Sequence, residues 1–178
     1  MEFVDRYARA LGASNLQDRQ TEPLIAAAFA AASATGELGP LLLRVKYVDD
    51  PMRAPGNLAQ LLRLWTVHVA KHGRARKWAS EKTSWDAQTA QNLYRTVAEL
   101  SLAHWLDGAC TSCGGSGQHD NDACRDCEGR GEAPVQHPGA FVRERVKDMV
   151  SELHGIASDH AARANARLHG RKHATPKP

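Results

Sequence analysis

Four cysteines, all that the chain contains, lie in two C-x-x-C pairs that are separated by ten residues. The first pair is Cys110 and Cys113, and the second is Cys124 and Cys127. Each pair begins the same unit, C-x-x-C-x-G-x-G, whose glycines let the backbone turn back toward the sulfurs. Two such turns supply the four soft ligands of a tetrahedral Zn²⁺ site. The pattern therefore predicts one structural zinc ion held by these cysteines.

Other uses of paired cysteines fit the surrounding sequence less well. A disulfide framework is typical of secreted proteins, and the N-terminus lacks the charged and then apolar segment of a signal peptide. A redox pair of the thioredoxin kind lies at a strand-to-helix junction, and no βαβ pattern surrounds these cysteines. A catalytic zinc keeps one coordination position open, whereas four thiolates close the shell. His119 and Asp120, which lie between the two pairs, remain as competing ligands.

Composition and motifs limit the remaining chemistry. The chain has 178 residues and a formal net charge of +3, which is too mild to imply a nucleic-acid partner by itself. No run of about eighteen apolar residues occurs, so no membrane partner is expected. No nucleophile elbow, phosphate loop, dinucleotide fingerprint or acid–base pair is found. We therefore expect neither an enzymatic activity nor a small-molecule substrate, and reduced thiols indicate the cytoplasm.

Hydrophobic periodicity predicts an all-α fold, a helical domain with an inserted structural zinc knuckle or ribbon. The predicted segments are an N-terminal helical segment (1–56), an amphipathic helix pair with a basic turn (57–107), a zinc-binding module (108–133), a C-terminal helix (134–168) and a flexible basic tail (169–178). The apolar stripe of the first helix of the pair is Leu58, Leu61, Leu62, Trp65 and Val69. Gly73 is expected to end or bend this helix.

The boundaries of the other elements rest on capping and turn signals. Thr83 and Asp86 have the spacing of a capping box and predict the start of the second long helix. The N-terminal segment has helical patterns over residues 3–11 and 21–36, whereas residues 41–48 fit either a helix or a strand. Residues 49–56 have the composition of a loop. Pro138 is expected to open the last helix. The chain from Ala161 is rich in alanine, arginine and histidine, and its end, residues 169–178, is expected to be frayed or disordered.

Two clusters of basic residues are candidates for contact with nucleic acid. The basic run consists of Lys71, Arg74, Arg76 and Lys77, and the second basic cluster consists of Arg143, Arg145 and Lys147. The basic run lies between two amphipathic helices, where it could neutralise phosphates while the helix from Ser84 enters a groove. An exposed helix end that favours cations is the alternative. The second basic cluster alternates with acidic residues, which is more typical of a solvated face.

Histidines also occur at metal-binding spacing, since His68 and His72 lie four residues apart. Two histidines at this spacing on a helix can share a metal ion. The glutamate that follows the first histidine in H-E-x-x-H is missing, however. A solvated polar face is therefore the favoured interpretation of this pair.

The order of these motifs resembles one known family, the late-gene antitermination Q proteins of lambda-type phages. In both, an amphipathic helix that ends in a basic stretch (Leu58 to Lys77) precedes a long helix (Tyr94 to Trp105) and the doubled C-x-x-C-x-G-x-G. The resemblance covers roughly residues 57–160. The cysteine unit alone also resembles the cysteine-rich region of DnaJ. DnaJ, however, carries four copies for two zinc ions, and this chain has two copies and lacks the His-Pro-Asp of a J-domain.

The resemblance implies a transcription factor that acts without catalysis in the cytoplasm of a bacterial host. Q proteins bind double-stranded DNA at the phage late promoter, join the paused RNA polymerase holoenzyme and let it read through terminators. The four cysteines would be the zinc ligands. The insert between the half-motifs is shorter here, and residues 138–178 do not match the segment that follows in the lambda protein, so DNA contacts do not carry over. The alternatives are a DnaJ-like chaperone or thiol module, and a zinc-bearing repressor without polymerase contact.

Overall fold

The computed structural model describes residues 38–47, 55–80 and 82–170, which form four helices and one small hairpin. The helices are α1 (Leu38–Tyr47), α2 (Pro55–Ala75), α3 (Ser84–Asp107) and α4 (Ala140–Gly170), and the strands are β1 (Gln118–His119) and β2 (Asp122–Ala123). The mostly helical architecture predicted from the sequence is confirmed. The helical patterns at 3–11 and 21–36 and the tail from residue 171 lie outside the described residues.

Several predicted boundaries shift. The ambiguous segment 41–48 belongs to α1, a helix, as far as Tyr47. Helix α2 begins at Pro55, inside the predicted loop, because proline is well suited to the first helical position, where its missing N–H costs no hydrogen bond. Helix α4 begins at Ala140, after Pro138, and continues to Gly170. The helix therefore extends two residues past the predicted boundary at residue 168; alanine favours helix, and Ala164 is buried in this last part of α4.

The chain divides into two compact units, one of which is formed by residues 65–153 and contains all four cysteines. The other unit contains the described residues before and after that range. In this second unit Gly39 lies directly against His160, because a Cβ atom at Gly39 would be 2.9 Å from the Cβ of His160. Helix α1 buries Leu42 and Leu43. No helix in the described ranges has the length and apolar character that a membrane span requires.

The core of the 65–153 unit is built on large side chains from α2 and α3. Trp65 and Val69 are fully buried, as the apolar stripe predicted. Leu61, a stripe residue that belongs to the other unit, is also fully buried. Leu58 is 37% exposed, so the predicted stripe is wrong at its first position. The indole N–H of Trp65 donates to the Ser101 Oγ at 2.9 Å, which satisfies both buried polar groups. This hydrogen bond fixes the side of α3 that faces Trp65 and the core.

The link between α2 and α3 has a defined structure at both ends. The capping box at Thr83 is confirmed, because the Asp86 N–H donates to the Thr83 Oγ1 (3.1 Å) and the Thr83 N–H donates to the Asp86 carboxylate (3.3 Å). Helix α2 passes through Gly73 and closes where the Trp78 N–H donates to the Gly73 carbonyl. Lys77, with φ of 53°, occupies the left-handed position of this Schellman closure.

Helix α2 continues two residues past Gly73, to Ala75, and Gly73 lets α2 and α3 approach each other closely. A Cβ atom at this position would lie 2.5 Å from the Tyr94 Cε1 and 2.9 Å from the Trp78 Cε3. Tyr94 and Trp78 are both buried, and their rings lie 6.4 Å apart. The end of α2 therefore packs directly on the middle of α3, with the basic run beside it.

Candidate metal centre

The cysteines lie in a metal module, residues 108–133, that begins immediately after α3. Its two ends are paired as antiparallel chain: Ala109 is bridged to Glu132, and the Ala133 N–H donates to the Gly108 carbonyl at 2.9 Å. The Cys110 N–H donates to the Gly131 carbonyl at 2.9 Å. Since α3 ends at Asp107, these bonds attach the first cysteine to a rigid helix end.

The module is a structural repeat as well as a sequence repeat. Equivalent atoms in its two halves are 14 residues apart, and each backbone hydrogen bond of the first half recurs in the second. The matched bonds are Gly115 N–H to Cys110 O with Gly129 N–H to Cys124 O, Ser116 N–H to Cys113 O with Arg130 N–H to Cys127 O, and Cys124 N–H to Gly117 O with Cys110 N–H to Gly131 O. The last matched pair crosses between the halves and holds them together.

The last glycine of each unit is required by both conformation and space. Gly117 and Gly131 have φ of 74° and 76°, in the left-handed region that favours glycine. A Cβ atom at Gly131 would lie 2.5 Å from the Gly115 carbonyl oxygen, and one at Gly117 would overlap the Gly129 carbonyl oxygen. The same two glycines donate their N–H groups to sulfur, to Cys113 Sγ at 3.3 Å and to Cys127 Sγ at 3.2 Å.

The four sulfurs form a cluster with the dimensions of a metal site. All four Sγ atoms lie within 4.8 Å of one another. The separation is 4.0 Å between Cys110 and Cys124 and 3.8 Å between Cys113 and Cys127. A tetrahedron with Zn–S bonds of about 2.3 Å has S···S edges of about 3.8 Å, whereas a disulfide requires about 2.05 Å. The cysteines are therefore free thiols placed to hold one metal ion, and the set is compatible with a structural zinc.

Crowding makes the thiols differ in acidity. Burial raises the pKa of Cys113, but hydrogen bonds from the Gly117 N–H and from neighbouring thiols outweigh it and lower the pKa to about 6. Burial raises the pKa of Cys127 to about 11; its thiol neighbours add to the rise, and the Gly131 N–H opposes it. The Cys113 thiolate thus forms readily, and its negative charge opposes ionisation of the neighbouring thiols. A divalent cation at the centre of the cluster offsets this repulsion, because its charge of +2 attracts all four thiolates.

The competing ligands predicted between the two pairs are not part of the cluster. His119 and Asp120 lie at the tip of the β1–β2 hairpin, where His119 pairs with Asp122 in the antiparallel register. Asp120 and Asn121 have φ of 50° and 70°, which is the two-residue type I′ turn. The side chains of His119 and Asp120 are 66% and 92% exposed and contact each other at 3.1 Å. Among the residues that the structure describes, the metal-competent group consists of the cysteines alone.

The basic run is exposed at the end of α2, and its members differ in how they are held. The Arg74 guanidinium lies 5.7 Å from the centre of the Tyr94 ring, and Arg76 pairs with Asp148 at 3.8 Å. Lys71 and Lys77 are exposed and have no ion-pair partner among the described residues. These two ammonium groups are therefore the ones that can approach a phosphate without first breaking an ion pair within the described chain.

The second basic cluster is already engaged within the protein. Arg143 donates to the carbonyl oxygens of His137 and Pro138, Arg145 pairs with Asp148, and Lys147 pairs with Glu144. Asp148 also pairs with Arg76, so the structure brings the two basic clusters together around one carboxylate. Arg145 lies over the rings of Trp78 and Phe141 as well. Contact between this cluster and nucleic acid stays a prediction.

The histidine pair on α2 does not form the solvated face that the sequence favoured. The His68 ring stacks on Trp65 with centroids 5.1 Å apart, and the His72 ring lies 5.8 Å from that of Trp78. Their Nε2 atoms are buried, and that of His68 lies 3.5 Å from a Glu152 oxygen. Burial and the nearby Arg76 charge lower the pKa of His72. These rings are part of the packing between aromatic side chains.

Sequence reasoning missed one pair within the metal module. The Ser112 hydroxyl donates to the Asp126 carboxylate across the two halves. Both residues immediately precede the second cysteine of a C-x-x-C, so they occupy equivalent positions of the repeat. Alignment of the two units would have paired Ser112 with Asp126, because the two halves have the same pattern of backbone hydrogen bonds.

Comparisons with known proteins were made on the whole chain. No family model, curated protein or solved structure matches it. The resemblance to the Q proteins therefore stays a hypothesis based on motif order.

Proposed function

We propose that this protein is a transcription antitermination factor of the Q type. It binds late-promoter DNA and bacterial RNA polymerase and lets the polymerase read through terminators. The observation that carries the proposal is the closed four-thiolate cluster attached directly to the end of α3. A closed cluster offers no coordination position for a substrate, so it serves to hold a contact surface in one shape.

The ion in this cluster is zinc, and the metal module is a structural zinc knuckle. Four sulfur donors at tetrahedral spacing suit Zn²⁺, which has no geometric demand beyond four soft ligands. The glycine N–H groups that donate to Cys113 and Cys127 supply the second shell, which spreads the negative charge of the thiolates. One zinc per chain should appear in native mass spectrometry of the protein purified without added metal.

The DNA-binding surface of the proposed factor includes the basic run. Lys71 and Lys77 are exposed and not engaged in ion pairs among the described residues, and Arg74 lies between them along the chain. Each cation that neutralises a phosphate releases a condensed counterion, so affinity falls as salt rises. Changing both Lys71 and Lys77 to Ala should reduce the slope of log K against log salt by about 2. Lys147→Ala, which removes an ion-paired lysine, is the matched control and should leave the slope nearly unchanged.

The direct test is transcription in a reconstituted system. Purified zinc-loaded protein is added to bacterial RNA polymerase on a template that carries the late promoter of its own genome and a downstream terminator. The proposal requires a rise in the fraction of transcripts that extend past the terminator. No rise would overturn it. Capture of the polymerase by immobilised protein separates an antiterminator from a zinc-bearing repressor, which would bind DNA alone.

A further inference from the structure

The basic run has no acidic residue in its own part of the chain. No aspartate or glutamate occurs from residue 51 to residue 80, a range that contains all of α2 and the run itself. A carboxylate from within the described unit must therefore come from a later helix if it is to pair with the run. Asp148, in the first part of α4, does so, because its Oδ2 lies 3.8 Å from the Arg76 Nη1. One cation of the run is thus neutralised by a carboxylate from another helix.

Asp148 is held in place independently of Arg76. The same oxygen accepts a hydrogen bond at 3.3 Å from the Nη1 of Arg145, which lies one turn earlier on α4. The Arg145 guanidinium is itself 4.7 Å from the centre of the Phe141 ring and 5.6 Å from the centre of the Trp78 ring. Attraction between the cation and the two rings restricts the motion of this side chain. Arg145 therefore fixes the position of the carboxylate whether or not Arg76 is paired with it.

Arg76 is the more loosely held of the two arginines. Its contact with Asp148, at 3.8 Å, is too long for a hydrogen bond, and its side chain is 55% exposed, whereas that of Arg145 is 30% exposed. Exposed ion pairs of this kind are weak and are screened by salt. A phosphate can replace the carboxylate, because a guanidinium binds both groups with the same paired N–H donors. Asp148 keeps Arg145 as its partner after the exchange, so no charge is left without a partner.

We propose that Asp148 masks Arg76 in the free protein and releases it to a DNA phosphate, which weakens the binding of DNA by the basic run. The inference rests on the proposed DNA binding and names a regulation of that surface. In the complex the Arg76 guanidinium exchanges the carboxylate of Asp148 for a phosphate oxygen. The exchange needs only the rotation of an exposed side chain, and the helices stay where they are. Loss of the pair with Asp148 opposes part of the attraction to the phosphate, so the affinity is lower than the charge of the run alone would give.

The test is a double-mutant cycle on duplex DNA of mixed sequence. Binding of full-length zinc-loaded protein is measured by fluorescence anisotropy at several salt concentrations. Asp148→Asn removes the charge and keeps an oxygen for Arg145, and it should raise the affinity about 1.5- to 5-fold at low salt. Arg76→Ala should lower the affinity and reduce the slope of log K against log salt by about 1. In the Arg76→Ala protein, Asp148→Asn should change the affinity much less than it does in the wild type.

Glu144→Gln is the matched control for the loss of a negative charge. Glu144 lies one turn before Asp148 on α4 and pairs with Lys147, outside the basic run. Its substitution should raise the affinity less than Asp148→Asn does, and by the same factor with and without Arg76. Circular dichroism checks that every variant keeps its helices, and Asp148→Ser, which also removes the charge, should reproduce the rise.

Two results would overturn the masking of Arg76. An equal rise from Asp148→Asn with and without Arg76 would show an effect of net charge alone. Unchanged or weaker binding by Asp148→Asn would also contradict it, and weaker binding would show that Asp148 instead orients Arg76 toward the phosphate.

The same proteins distinguish failure of this inference from failure of the proposed function. Coupling between Asp148 and Arg76 in a protein that gives no terminator read-through would retain the masking and reject antitermination. Read-through by the wild type without coupling between the two residues would reject the masking and retain antitermination. If neither the wild type nor Asp148→Asn bound the duplex, the masking and the proposed DNA binding would both be rejected.

Discussion

The metal module and the α2–α3 pair are stabilised in opposite ways. In the metal module the buried cluster consists of the cysteines, and nearly all other side chains are exposed. Its shape comes from backbone hydrogen bonds within and between its two halves and from glycines with positive φ. In the α2–α3 pair the rings of Trp65, Trp78 and Tyr94 are buried, and a side-chain hydrogen bond links the helices.

This difference determines what each region tolerates. A region whose core is four sulfurs is expected to depend on a bound metal ion, because its apolar burial is too small to offset the entropy of ordering the chain. A region whose core is aromatic depends on side-chain volume and on satisfied polar groups, and it does not need the ion. Substitutions of the cysteines and glycines should therefore destabilise the metal module, and substitutions of buried side chains should destabilise the packing of α2 and α3.

The largest effect is expected from Cys113→Ser, which removes one sulfur. The binding energy of a structural zinc, on the order of 10 kcal/mol, is also folding energy for the module, so the ion should be lost and residues 108–133 should unfold. Helix α3 should persist, because its capping box and buried face do not involve the metal. Native mass spectrometry measures the loss of the ion, and hydrogen exchange measures which residues unfold. Ser112→Ala is the matched control and should keep the ion; a Cys113→Ser chain that keeps zinc and protection would refute the prediction.

The next effect compares two glycines in the second half of the module. Gly129 and Gly131 have nearly the same φ, 79° and 76°, so alanine costs about 1–2 kcal/mol of conformational energy at either. At Gly131 the added Cβ would also lie 2.5 Å from a backbone carbonyl oxygen, whereas at Gly129 the nearest atom is 3.6 Å away. Gly131→Ala should therefore weaken zinc binding about 5- to 150-fold more than Gly129→Ala in a chelator competition. Equal losses would show that the carbonyl moves aside.

The features that were predicted correctly from the sequence are those set by residues a few positions apart in the chain. The C-x-x-C spacing predicted the sulfur cluster, and the spacing of Thr83 and Asp86 predicted the start of α3, because both are set within a few residues. Apolar periodicity predicted the buried faces at Trp65 and Val69. The exposure of Leu58 could not be read from the same pattern, since it depends on where neighbouring chain covers the helix.

Features that join distant segments were not predictable. Arg76 and Arg145 share Asp148, and His72 lies beside Trp78, because α2, the following loop and α4 meet in the fold. Gly73 has the composition signal of a helix end, yet its role is close packing on Tyr94. Lys77 adopts a left-handed conformation that gives no signal in the composition. In each case tertiary packing, rather than local preference, determines the outcome.

Acid should destabilise the helical part through a buried histidine. His160 has no solvent exposure, and burial together with the nearby Arg163 charge lowers its pKa to about 4. The unfolded chain, with a histidine pKa near 6.5, binds the proton more readily than the folded chain, so the contribution of His160 to the free energy of unfolding is fully present above pH 6.5. This contribution, about 3 kcal/mol in total, is lost as the pH falls from 6.5 to 4, and it does not change further below pH 4.

Chemical denaturation between pH 7.5 and 4 measures this effect, with His160→Gln as the comparison. The variant keeps the four cysteines, so acid acts equally on the metal module in both chains, and the difference between the two chains reports the histidine. The wild type should lose more stability than the variant over this range. Parallel pH profiles for the two chains would show that His160 does not titrate as its burial requires.

The smallest effect is expected at the hydrogen bond between α2 and α3. Ser101→Ala leaves the buried Trp65 indole N–H without its acceptor at 2.9 Å, which costs about 1–2 kcal/mol of the free energy of unfolding. Ser151→Ala is the matched control, because that exposed hydroxyl donates to a carbonyl on its own helix and should cost little. Zinc affinity should be unchanged in both variants, since neither alters the metal module. If Ser101→Ala weakened zinc binding as much as it lowered stability, the two regions would form one cooperative structure, and the separation of a metal-dependent module from a side-chain core would have to be abandoned.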